Sequence, residues 1–124
     1  MNNKIDLYAD GLKLEQFDHD CGIKIDGYTF NPSLFKKNGA TDYLEYSKKI
    51  LSKSNNKPVS LEVFADEEDE MIKQAKILSG LSENVYVKIP ITFTNKQFTT
   101  KVLQELVRQK IKLNITAIFT IEQI

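Results

Sequence analysis

The sharpest chemical feature of this sequence is a lysine enclosed by apolar residues, Lys88, in the run Val85-Tyr86-Val87-Lys88-Ile89-Pro90. Desolvation disfavours the charged form of such an amine and lowers its pKa, which yields a nucleophile for a ketone. Two bland readings stand beside that one. Lys88 can be half of a buried ion pair with Glu62, or it can snorkel past the strand end to water. Other apolar runs carry proton-handling and hydrogen-bonding groups near their ends. These are Asp10 on the first, Thr29 and Asn31 on the second, Glu62 on the third, and Asn114 and Thr116 in the fifth. No single run displays a site. If the runs are parallel strands of a barrel, their carboxyl ends converge, and an Asp, a Glu and a Lys meet Thr and Asn side chains in one pocket.

The elements that must position these groups follow from periodicity. Short apolar runs predict strands over 5–9, 23–30, 59–64, 85–90 and 112–119. Between them lie segments of helical period. Thr41 opens one, with Tyr43, Leu44, Ser47, Ile50 and Leu51 on a stripe, and Asn55-Asn56-Lys57-Pro58 breaks it. Asp66 is placed to cap the next, whose stripe is Met71, Ala75 and Leu78 and whose end is Ser79-Gly80. Its acidic start, Glu67 to Glu70, suits the positive end of a helix dipole and reads as a solvated face. A third helix is predicted over 94–109 with Phe98, Val102, Leu103 and Leu106 on one stripe, and Thr120 begins what resembles a fourth.

Apolar strands alternating with amphipathic helices imply an α/β fold with parallel strands, helical cover and right-handed crossovers. Five such units predict a partial (β/α)8 TIM barrel, one truncated domain over 1–124 that lacks the last strands. A doubly wound sheet is the alternative, but Asp10-Gly11 is no glycine-rich phosphate loop. A five-stranded piece leaves two open edges and an exposed apolar interior. The expected remedy is a homo-oligomer or swapped assembly that covers them.

Composition narrows the function classes. Seventeen basic and seventeen acidic residues cancel, so no global field favours nucleic acid or an anionic membrane. No apolar run approaches the roughly 20 residues that span a bilayer. The first residues lack the apolar core of a secretory signal, and Cys21 stands alone, which together point to the cytoplasm. His19 lies between Asp18 and Asp20, a spacing that suits none of the usual metal sites, and reads as a charged surface turn. Cys21 reads as a small apolar filler, and Tyr28 and Phe30 as packing residues.

Five segments carry a family resemblance. Gly27-Tyr28-Thr29-Phe30-Asn31-Pro32-Ser33-Leu34 resembles the G-x-T-T-N-P-S-L signature of transaldolases and fructose-6-phosphate aldolases. The Lys88 run resembles their Schiff-base strand, V-x-V-K-[IV]-P. Leu7-Tyr8-Ala9-Asp10 resembles the first-strand motif, Val59-Ser60-Leu61-Glu62-Val63 the third, and Lys112 to Phe119 the N-x-T-x-[IV]-F fifth strand. The matches run in family order along nearly the whole chain. Phe30 departs from the usual second Thr or Ser, and Ala9-Asp10-Gly11 is looser than the common L-D-[TS].

The resemblance implies transaldolase-like transfer of a dihydroxyacetone unit between sugar phosphates, in pentose-phosphate type carbohydrate metabolism. In that reading Lys88 forms an imine with the ketose, and Glu62 and Thr116 hold a proton-shuttling water. Asp10 takes the proton of the C4 hydroxyl. Asn31 and Asn114 bind hydroxyls of the three-carbon unit, and Thr29 lines the pocket. The resemblance implies no metal and no other cofactor. It places the phosphate-binding residues on later strands, so the 124-residue chain alone is expected to have little sugar-phosphate turnover. Glu at position 62 is the transaldolase choice, where the aldolases carry Gln. A fructose-6-phosphate-type aldolase is the second reading, and a catalytically silent half-barrel serving as an assembly module is the third.

Overall fold

Alternation along the strand that carries Lys88 fixes which way that lysine points. In the computed structural model, which describes residues 5–18, 22, 24–30, 33 and 42–124, Val85, Val87 and Ile89 are buried, whereas Tyr86, Lys88 and Pro90 are half-buried. Successive side chains of a strand leave on opposite faces, so Lys88 faces away from the three buried residues. Five strands form one parallel sheet: β1 (Tyr8–Asp10), β2 (Gly27–Phe30), β3 (Val59–Glu62), β4 (Val85–Pro90) and β5 (Leu113–Thr116). Their spatial order is the chain order, 1-2-3-4-5. A doubly wound sheet reverses direction at a switch point and needs helices on both faces. Sequential right-handed crossovers leave the helices on one face, which is the winding of a (β/α) barrel. The predicted fold class stands: five parallel strands with helices between them, as in part of such a barrel.

The helices are α1 (Tyr43–Lys53), α2 (Glu68–Ser79) and α3 (Thr100–Arg108), with 3-10 turns at Leu14–Asp18 and Ile121–Gln123. Their buried residues are Ser47 and Ile50 of α1, Met71, Ala75 and Leu78 of α2, and Val102 and Leu106 of α3. The apolar ones form one cluster with Val59, Leu61, Val85, Val87 and Ile89 of the sheet. Tyr28 and Phe30 are buried as well, against the ring of Phe17, so their reading as packing residues holds. No helix among the described residues is long and apolar enough to cross a membrane.

Three local expectations change. Asp66 does not cap α2. Glu67 occupies the N-cap in an extended conformation, and the Asp66 carboxylate accepts instead from the Thr94 backbone N–H at 2.8 Å. The third helix starts at Thr100 rather than Thr94. Residues 92–98 form a tight turn closed by an antiparallel bridge between Thr92 and Phe98, with Lys96 in the left-handed region at φ 69°. Phe98 is therefore outside the helix and exposed, and the Thr99 hydroxyl is shared between the carbonyls of Pro90 (2.7 Å) and Ile91 (3.0 Å). Strand β5 stops at Thr116 because Ala117 turns to φ 59°. The α1 cap is Asp42, whose Oδ1 accepts from Glu45 N at 3.1 Å. Thr41 lies outside the described residues.

Candidate active site on the concave face

Strand register carries most of the site. Glu62 of β3 is level with Lys88 of β4, and Lys88 is level with Asn114 of β5. Thr116 follows two residues beyond Asn114, level with Pro90. Two residues earlier along the strands, Asp10 is level with Thr29, Thr29 with Ser60, and Ser60 with Tyr86. Partners in a parallel ladder share a face, so Asp10, Thr29, Glu62, Lys88, Asn114 and Thr116 all project from the face opposite the helices.

That face is concave. Asn114 Nδ2 donates to Ser60 Oγ at 3.2 Å although β3 and β5 are separated by β4. In a flat sheet their backbones would be about 9.5 Å apart, too far for two short side chains to meet. The sheet must curl toward them, as a barrel wall does, and residues of alternate strands then share the interior.

The electrostatics tie the acids to the amine. Burial raises the pKa of Glu62 above the ordinary carboxylate range; Lys88 opposes that rise and Asp10 adds to it. Lys88 and Asp10 therefore both lie within electrostatic reach of Glu62. Among the described residues Lys88 is in no ion pair, so the reading of Lys88 and Glu62 as a tight buried pair is not realised. The Thr29 hydroxyl donates to Asp10 Oδ1 at 2.6 Å. Thr116 Oγ1 is buried and has no hydrogen-bond partner among the described residues. A buried hydroxyl left unpaired costs stability unless a water or a ligand satisfies it.

Two residues bear on the site without having been given a role from sequence. Tyr43, at the start of α1, donates its hydroxyl to the Glu62 carbonyl at 2.7 Å and steadies the end of β3. Ser60 is 2 % exposed and touches Asn114. A signal for Ser60 existed, because it lies two residues before Glu62 and so on the same face. Nothing local could reveal Tyr43, whose contact spans two elements. Asn31, His19, Asp20 and Cys21 lie outside the described residues. Among the described residues no group of three His, Cys, Asp or Glu side chains could hold a metal. An apolar cavity of about 500 Å³ opens elsewhere, between α1 and α2, lined by Tyr43, Leu44, Phe64, Ile77 and Leu78 among others.

Comparison with known proteins yields one family. The model for transaldolase/fructose-6-phosphate aldolase matches residues 7–124. A protein named "Probable transaldolase" from Bartonella henselae is 36% identical over 118 residues, covering 94% of this chain and 52% of that protein. One of the same name from Methanococcus vannielii is 43% identical over 99 residues, 80% of this chain and 43% of that protein. "Probable transaldolase 2" of Listeria monocytogenes is 39% identical over the same length and shares. The chain spans about half the length of these relatives.

Proposed function

The chain belongs to the transaldolase/fructose-6-phosphate aldolase family, and on that premise we propose that it moves a dihydroxyacetone unit between sugar phosphates through an imine on Lys88. The observation that carries the reading is the level arrangement of Glu62, Lys88 and Asn114 on a concave face, with Asp10 in electrostatic reach.

Lys88 gives up its ammonium proton to water, its amine adds to the ketose carbonyl, and the carbinolamine loses water to give the imine. Glu62 and Thr116 hold the water that carries protons in this step. The raised pKa of Glu62 brings it closer to working pH, where exchange in both directions is easiest. Asp10 then takes the proton of the C4 hydroxyl. The C3–C4 bond breaks, an aldehyde leaves, and the bonding electrons pass into the imine to form an enamine. The enamine adds to an acceptor aldehyde, and water releases Lys88. Asn31 and Asn114 hold hydroxyls of the three-carbon unit, and Thr29 holds Asp10.

The test is trapping. The chain is incubated with dihydroxyacetone or fructose 6-phosphate and borohydride, digested, and sequenced by mass spectrometry. A reduced three-carbon adduct on Lys88 is expected. An unmodified Lys88 at saturating ketose would leave only the silent module. If an adduct forms, transfer and simple cleavage separate on whether the unit reaches an added aldehyde or is released as free dihydroxyacetone.

A further inference from the structure

We infer that Ser60 is a positioning residue that sets the orientation of the Asn114 carboxamide for a donor hydroxyl; the inference rests on the Lys88 reading for its ligand but not for its geometry. Ser60 is level with Tyr86 and Asn114 is level with Lys88, so their 3.2 Å hydrogen bond runs diagonally across β4, between those two side chains. Ser60 is almost completely enclosed, and Asn114 is half-buried. A carboxamide is planar, so tying Nδ2 to Ser60 turns the opposite edge, with Oδ1, away from Ser60. A free Asn side chain rotates broadly about its last bond, because that torsion has no sharp staggered minima. One hydrogen bond donated to an enclosed hydroxyl oxygen removes that freedom. The edge beside Lys88 is then held ready for a hydroxyl on the carbon next to an imine carbon.

Ser60 also fits this place by size. Its register partner Thr29 is already committed to Asp10 at 2.6 Å, and its neighbour Tyr86 is bulky. Ser60 is therefore the short hydroxyl at this level that reaches Asn114 under the curl of the sheet.

The test uses the whole chain with dihydroxyacetone as probe and borohydride trapping as readout, over a range of probe concentrations. Three proteins are compared with wild type: Ser60→Ala, Asn114→Ala and the Ser60→Ala/Asn114→Ala double variant. Losing one neutral hydrogen bond is worth about fivefold in an equilibrium constant. Ser60→Ala should raise the half-saturating concentration by about that factor with the saturated adduct level unchanged. In the Asn114→Ala background, Ser60→Ala should do nothing further, since a residue acting only through Asn114 has nothing left to orient. A merely structural serine would shift both backgrounds equally, and that result overturns the inference, as does an unshifted Ser60→Ala. Should wild type form no adduct, the Lys88 reading fails separately. The anchor is then judged by NMR of the Asn114 side-chain amide protons, which must move in Ser60→Ala and stay unmoved if the inference is wrong.

Discussion

The Thr29 hydroxyl donates to Asp10 Oδ1 over 2.6 Å, across the ladder from β2 to β1. Both residues lie on the concave face, and the bond fixes which carboxylate oxygen stays free. Because β1 is an edge strand of three residues, little else steadies Asp10. Replacing Thr29 with Val keeps the shape and removes the donor. Imine trapping on Lys88 should survive, because it does not need Asp10. Single-turnover cleavage of fructose 6-phosphate should slow by about fivefold to tenfold, the scale of one charge-assisted hydrogen bond. Thr29→Ser should recover most of it. Equal loss of trapping and cleavage would remove Asp10 from the bond-breaking step.

Lys88 shapes Glu62 as well as any substrate. Its charge is the one influence on Glu62 that works against burial and against Asp10. Lys88→Met should therefore abolish the borohydride adduct and, independently, move the Glu62 titration midpoint further upward. Carboxyl-carbon NMR of the variant reads the second effect without substrate. An unmoved midpoint would mean that the two groups do not sense each other.

Much of this was legible because strands alternate and barrels gather strand ends. Type and position at strand ends singled out Lys88, Glu62, Asp10, Thr29, Asn114 and Thr116, the family resemblance alone gave them roles, and the ladder places them on one face. Periodicity also found the buried stripe Met71, Ala75 and Leu78. It failed where a loop imitates a helix. Phe98 has helical spacing to Val102 and Leu106, but Lys96 at positive φ and the bridge from Thr92 to Phe98 hold that stretch in a turn. It failed again at Asp66, whose cap chemistry was right and whose partner, Thr94, belongs to another loop. Local propensity cannot see a competing donor 28 residues away.

The helix-facing layer carries the stability. Leu61 is fully buried, in the cluster that joins β3 to the helices. Leu61→Ala removes three side-chain carbons and leaves a cavity, which should cost about 2–5 kcal/mol in urea unfolding. Phe119, at 87 % exposure, is the control; Phe119→Ala should change stability by no more than about 0.5 kcal/mol. If the two cost the same, the sheet does not pack its helices through this layer.

Glu62 supplies a prediction whose sign is set by pH. Its folded-state pKa lies above the unfolded value, chiefly through burial and then through Asp10 after the opposing effect of Lys88. Between those two values the folded chain binds more protons than the unfolded one, so this residue's contribution to stability falls as pH rises through that window. Above that window the ionised carboxylate is a net cost to the fold. Glu62→Gln has nearly the same shape and no charge, so it should melt above wild type at pH 7. The gap should close as pH drops through the carboxylate range, where wild type carries a neutral acid at the same place. Activity should move oppositely, since a Gln can neither take nor return a proton, and imine formation should slow at every pH. Melting curves for both proteins at a series of pH values give the answer. A gap that stays constant, or widens in acid, would mean that burial does not hold Glu62 above its ordinary range.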